Sequence, residues 1–163
     1  SQPYVVACTV AALELTGHEK ILEIGVGSGY QAAILAECGR KVYGIERIGS
    51  LTQRAQSVLE QLGYLNVVLR TADGTYGWQE YGPYDAIAVA TAGPEVPPPL
   101  LDQLVMGGRM VIPVGDRNGQ VLKRICRTTN GFETEDLDLV QFVPLVGRYG
   151  MTPETESPKQ GRG

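Results

Sequence analysis

Lys20-Ile21-Leu22-Glu23-Ile24-Gly25-Val26-Gly27-Ser28-Gly29-Tyr30 is the stretch whose reading decides the fold. An apolar run leads into a turn with glycine at every second position, and a helical pattern follows. Such a strand, turn and helix start brings the backbone close to a nucleotide-like ligand at the strand end, as in doubly wound folds. Two cofactor classes compete for it. A dinucleotide fingerprint requires G-x-G-x-x-G, whose third glycine would fall where Tyr30 stands, and the spacing here is G-x-G-x-G. Glu23 lies two residues before Gly25. A carboxylate ~5 Å from a pyrophosphate costs roughly 3 kcal/mol per unit charge at an effective dielectric of about 20. A cationic ligand reverses that sign. S-adenosylmethionine carries an ammonium and a sulfonium and no phosphate, so Glu23, Gly25, Gly27, Ser28 and Gly29 are candidates to bind it in preference to a nicotinamide dinucleotide.

Val42-Tyr43-Gly44-Ile45-Glu46-Arg47 is a second apolar strand ending in an acid. At this offset an acid accepts hydrogen bonds from both hydroxyls of a ribose, which makes Glu46, with Arg47 beside it, the next cofactor candidate. A third strand over 66–72 ends in Asp73-Gly74, where a short carboxylate followed by a flexible residue can approach an adenine edge. Taken singly, each acid also reads as a turn or cap residue. Acids at three consecutive strand ends are far more specific than the glycines.

At 163 residues the chain suits one domain, burying roughly 70% of its unfolded surface. Fourteen Lys and Arg against 18 Asp and Glu give a net charge of -4, without a basic run, which argues against a nucleic-acid partner. The densest positive cluster, Lys123, Arg124 and Arg127, falls on an expected late strand and reads as a solvated face. Cys8, Cys38 and Cys126 are odd in number and far apart, so they form neither a disulfide framework nor a metal site. No apolar stretch approaches the ~20 residues needed to span a bilayer, and a cytoplasmic monomer is expected. The first residue is Ser rather than Met, and the start is read as a trimmed one.

Apolar runs alternate with helical patterns as in a parallel sheet with crossover helices. Helices are expected over 4–16, 29–39 and 49–62, with strands over 20–26, 41–47, 66–72, 85–90 and 109–114. A short helix should follow Pro97-Pro98-Pro99. Strands over 121–127 and 139–146, joined through Asn130-Gly131, should finish the sheet as an antiparallel pair. Residues 151–163 are polar, with Pro and Gly, and are read as a disordered tail after a domain spanning 1–150. The expected fold class is α/β, doubly wound and Rossmann-like with an S-adenosylmethionine site, mostly parallel with an antiparallel C-terminal pair.

With these elements in order, the chain resembles the protein-L-isoaspartate O-methyltransferase family. The likeness lies in Ser1-Gln2-Pro3-Tyr4, similar to that family's active-site serine motif, and in the cofactor turn from Leu22 to Gln31. It continues through 42–47, Leu62-Gly63-Tyr64, Asp73-Gly74-Thr75-Tyr76-Gly77-Trp78, Pro83-Tyr84-Asp85-Ala86-Ile87 and Pro94-Glu95-Val96-Pro97. The 107–115 stretch and Phe142-Val143-Pro144-Leu145 extend it to about residue 147. Full-length members carry further helices before the serine, and Ala72 and Gly93 replace the more usual Gly and Ala, both small for small.

The resemblance implies methyl transfer from S-adenosylmethionine to the carboxylate of isoaspartyl residues in damaged proteins and peptides. Such a carboxylate, with a reference pKa near ~4, is ionised at neutral pH and needs no general base. Alignment of the reacting atoms can supply ~7 to 11 kcal/mol. By the same resemblance Ser1 is the catalytic candidate, orienting the substrate carboxylate, and Val143, Leu145 and Val146 line the peptide slot. As a structural alternative, Ser1 caps the helix opening at Pro3.

His18, the one histidine, sits between a helix and a strand and does not suggest a triad. Thr91-Ala92-Gly93-Pro94 after the fourth strand lacks the Pro-Pro-aromatic of an adenine methylase, and no cysteine stands where a cytosine methylase needs one. Another S-adenosylmethionine-dependent methyltransferase, or a cofactor-binding module without turnover, remains the alternative.

Overall fold

The computed structural model describes residues 2–152. Helix α1, Pro3–Leu13, opens the chain, with Pro3 in its first turn and Gln2 at the cap position; it ends where Glu14 turns left-handed. The expected Ser1 cap therefore does not fall where the helix begins, and Ser1 itself lies outside the described residues, as do residues 153–163 of the expected tail.

Strand β1, Lys20–Ile24, is followed by α2, Tyr30–Cys38, then β2, Lys41–Glu46, α3, Gly49–Gln61, and β3, Val67–Thr71. Two short 3-10 turns, Gly74–Tyr76 and Gln79–Tyr81, lead into β4, Tyr84–Val89. Helix α4, Pro98–Asp102, precedes the long β5, Leu104–Asp116, and the hairpin of β6, Gly119–Thr128, and β7, Gly131–Val140.

These strands form one sheet in the order β3-β2-β1-β4-β5-β6-β7. The first five run parallel and β6 and β7 antiparallel, the fold class expected. The central strands β1 and β4 are apolar almost throughout because both faces are covered. Ile21, Ala86, Ala88 and Val111 pack beside Leu13 and Leu35 on one side, and Leu22, Ile24, Ile87 and Met110 with Trp78 and Leu104 on the other. Helix α3 presents Thr52, Ala55 and Leu59 inward, where Ala55 and Leu59 join Val26 and Ala32 in a third cluster.

The last strand differs from the expectation. It occupies Gly131–Val140 rather than 139–146. Its acids hid it: Glu135 and Asp136 stand on an exposed edge and answer Arg124 and Lys123 of β6, the charged finish that keeps an edge from pairing further. Residues 141–146 instead fold back over the sheet end, where Pro144 pairs with Ala92. Met151, assigned to the tail, donates its amide to the Leu145 carbonyl at 2.7 Å and bridges to Val146.

Candidate functional site

Strand order reverses between β1 and β4, and a cleft opens there at the carboxyl ends, where doubly wound sheets bind ligands. It measures about 1540 Å³. Gly25, Gly27 and Ser28 line it from the first turn, Glu46 and Arg47 from the second, and Gly74 from the third. Ala90 and Thr91 contribute from the end of β4. Val143, Leu145 and Val146 form the wall supplied by the C-terminal segment. The structure thus brings most of the sequence candidates into one space; Gly29 and Asp73 do not line it, and Ser1 lies outside the described residues.

Gly25, Gly27 and Gly29 all have positive φ, and Gly29 occupies the cap position of α2. Gly25 has a second reason to be glycine. A Cβ there would lie 2.9 Å from Thr91 Cγ2, so the close passage of the β1 turn beside β4 excludes a side chain.

Glu23 is wholly buried (0% exposed). Gln31 Nε2 donates to its Oε1 at 3.4 Å, while Oε2 has no partner among the described residues. Burial pushes its pKa up to about 8; the Gln31 hydrogen bond opposes the rise and the Glu46 charge adds to it. Sequence alone presents Glu23 as a charged carboxylate. With only the chain's own groups around it, Glu23 holds a proton at neutral pH. The electrostatic preference survives in another form: an ammonium draws the group into its ionised state, whereas a pyrophosphate drives it further from ionisation.

Glu46, also buried, accepts the Gly27 amide through Oε2 at 2.9 Å and the Ile48 amide through Oε1 at 3.0 Å. Each oxygen keeps a second lone pair, so this carboxylate can hold the glycine turn and still accept a pair of ribose hydroxyls. An orphaned buried oxygen at Glu23, a doubly anchored acid at Glu46 and a turn with glycine at every second position between them fit S-adenosylmethionine.

Asp73 is placed differently from the sequence expectation. Gly74 lines the cleft, but the Asp73 carboxylate is held within the chain: Oδ1 accepts from Thr75 N at 2.9 Å and Thr75 Oγ1 at 2.7 Å, and Oδ2 from Arg148 N at 2.8 Å. Arg47 and Ser28 are exposed at the mouth. Val143 is exposed but its carbonyl accepts the Ala92 amide at 2.8 Å, and the buried Leu145 returns its amide to Ala92 O at 2.7 Å. His18 lines a separate small hollow with Asp85 and Arg109.

Two residues escaped the sequence reading as site residues. Gln31 closes the cofactor-turn stretch in the sequence, and only the fold shows its amide reaching back from the first turn of α2 to Glu23 on β1. Thr91 Oγ1 is buried, lines the cleft and has no partner among the described residues. Its place immediately after a buried strand was the one available signal.

The reversed strand order, the glycine turn flanked by two buried acids and the antiparallel end of the sheet define a Rossmann-like S-adenosylmethionine-dependent methyltransferase. Residues 1–150 match the sequence profile of the protein-L-isoaspartate(D-aspartate) O-methyltransferase family, and the chain belongs to that family. It is 53% identical over 150 residues to protein-L-isoaspartate O-methyltransferase 1 of Syntrophobacter fumaroxidans, covering 92% of this chain and 70% of that one. It is 52% identical over 150 residues to the Dictyoglomus turgidum protein-L-isoaspartate O-methyltransferase, covering 92% and 68%.

Among solved structures, a protein-L-isoaspartate O-methyltransferase superposes with a TM-score of 0.85 at 29% identity; the match covers 92% of this chain and about half, 49%, of that one. The Plasmodium falciparum putative protein-L-isoaspartate O-methyltransferase in complex with S-adenosyl-L-homocysteine gives 0.77 at 25% identity, covering 90% and 75%.

Proposed function

We propose that the chain transfers a methyl group from S-adenosylmethionine to the carboxylate of L-isoaspartyl residues in damaged proteins and peptides. One observation carries the reading: a single cleft joins the acid-and-glycine cofactor edge to segment 143–146, in a chain of a family named for this transfer. S-adenosylmethionine supplies the electrophilic methyl group when bound. Glu23 would hold its ammonium, Glu46 its ribose, and the backbone of Gly25, Gly27 and Gly74 would close against it. Ser28, Gly29 and Arg47 complete the cofactor side of the assignment.

The remaining work of the chain is orientation and exclusion of water. An isoaspartyl carboxylate is already ionised at neutral pH, so no side chain has to remove a proton. Val143, Leu145 and Val146 form the slot that sets the peptide, and Ser1 orients the accepting carboxylate. The same reading makes the chain a cytoplasmic monomer acting on polypeptide rather than nucleic acid, with 1–150 as the catalytic domain. Its support is the net charge of -4 and the pairing of Lys123 and Arg124 with acids; no described helix is long and apolar enough to cross a membrane. Mass spectrometry of an isoaspartyl peptide after incubation with the chain and cofactor tests the transfer. One added methyl group, lost in mild base as an ester would be, supports it, and an unmodified peptide refutes it.

A further inference from the structure

We propose that Asp73 is a positioning residue for the peptide slot, fastening the turn that follows segment 143–146 to the end of β3. The proposal rests on the reading of 143–146 as that slot. The Thr75 contacts of Asp73 alone are an ordinary cap of a short turn, through Oδ1. The other oxygen is not engaged locally. Oδ2 accepts the amide of Arg148, 75 residues further along the chain, at 2.8 Å.

A second thread runs beside it. Thr75 Oγ1, fully buried, donates to Asp73 and accepts the Tyr149 amide at 3.2 Å. The Tyr76 and Tyr149 rings then meet edge to face, centroids 5.4 Å apart. Gly147 passes so close that a Cβ there would collide with Asp73 Oδ1, so the carboxylate and the turn are fitted to each other.

The other end of the segment is fixed by Ala92, which donates to Val143 O and accepts from Leu145 N. Segment 143–146 is therefore tied to Ala92 beyond β4 and to Met151, and the turn between it and Met151 is fastened by Asp73. Releasing the Oδ2 bond to Arg148 leaves the contacts of Glu23 and Glu46 and the Oδ1 cap of the Gly74 turn in place while loosening the wall that a peptide would contact. The side-chain contacts of Asp73 run to Thr75 and to the turn at Arg148. Because Gly74, its neighbour, lines the cleft, one strand end serves both walls.

Asp73→Asn and Thr75→Val test this. Asn keeps the size but replaces one acceptor oxygen with an amide that cannot accept, and Val removes the hydroxyl bridge without altering charge. Steady-state kinetics should show the KM for an isoaspartyl peptide raised about tenfold by Asp73→Asn and less by Thr75→Val. Turnover at saturating peptide should stay within about threefold, and the calorimetric Kd for S-adenosylhomocysteine within about twofold. Limited trypsin digestion gives a readout independent of activity: cleavage after Arg148 should be several-fold faster in both variants than in the parent chain.

A Kd for S-adenosylhomocysteine weakened about tenfold with peptide KM unchanged would overturn the proposal and return Asp73 to the adenine. Unchanged KM together with unchanged cleavage at Arg148 would overturn it as well. Should the parent chain fail to methylate isoaspartyl peptide at all, the functional reading falls alone, and the digestion still decides whether Asp73 fastens the turn.

Discussion

Gln31 donates a single hydrogen bond of 3.4 Å to Glu23 and leaves the other carboxylate oxygen without a partner among the described residues. A buried carboxylic acid so thinly supported keeps its proton up to about pH 8 against an ordinary value of 4.5. Pairing with an ammonium reverses the preference. Binding of S-adenosylhomocysteine should therefore release close to one proton near pH 7, and affinity should rise with pH below 8, by at most about tenfold per unit. Calorimetry in two buffers of different ionisation enthalpy measures the proton directly. Glu23→Gln should bind more weakly and with no pH dependence in this window; a pH-independent parent chain would show that Glu23 does not meet the ammonium.

The same shift has the opposite sign for stability. Above 4.5 the unfolded chain loses a proton that the folded chain keeps until about pH 8. The Glu23 contribution to stability is thus whole below 4.5, falls as pH rises between those values, and is gone above 8. The difference in denaturant midpoint between the parent chain and Glu23→Gln, measured across that range, isolates it. A difference that does not change with pH would contradict the burial argument.

Glu46→Ala removes the acceptor of both the Gly27 and the Ile48 amides as well as the proposed ribose contact. Charge-assisted hydrogen bonds of this kind contribute about 1.5 to 3 kcal/mol each, so affinity for S-adenosylhomocysteine should fall at least roughly tenfold, with some loss of melting temperature. Glu46→Gln, which keeps one acceptor oxygen, should lose less. Wild-type affinity in the Ala variant would remove Glu46 from the ribose.

Thr91→Val separates a structural hydroxyl from a functional one. A buried, unpaired hydroxyl costs about 1 to 3 kcal/mol, so its isosteric removal should leave the melting temperature unchanged or raise it. If the hydroxyl faces cofactor or peptide, kcat/KM should fall while stability does not. Unchanged kinetics would show that Thr91 only packs beside Gly25.

Much of this fold was legible because burial and periodicity agree. β1 and β4 are covered on both faces and read as largely apolar runs broken only by Lys20, Glu23 and Asp85, and the acids at the ends of β1 and β2 fell where doubly wound sheets place ligands. Strand β7 was not legible in its true register, since its alternation is carried by exposed acids that pair with β6 rather than by apolar residues facing a core. At the site, local motifs gave the glycines, Glu23 and Glu46. The contacts of Gln31 with Glu23 and of Asp73 with Arg148 depend on where separate segments meet, and spacing along the chain does not encode them. The protonation of Glu23 was hidden for a related reason, because the depth of burial is a property of the whole packed sheet.

The most direct test pairs two peptides of identical sequence, one with an isoaspartyl linkage and one with normal aspartate, incubated with the chain and S-adenosylmethionine labelled on the methyl group. Both offer an ionised carboxylate, so only a slot that reads the backbone around it can distinguish them. Transfer of base-labile label to the isoaspartyl peptide, with none above background to its partner, is the expected result. Equal labelling of both, or label on neither with cofactor bound, would contradict the assignment of this cleft to isoaspartyl methylation.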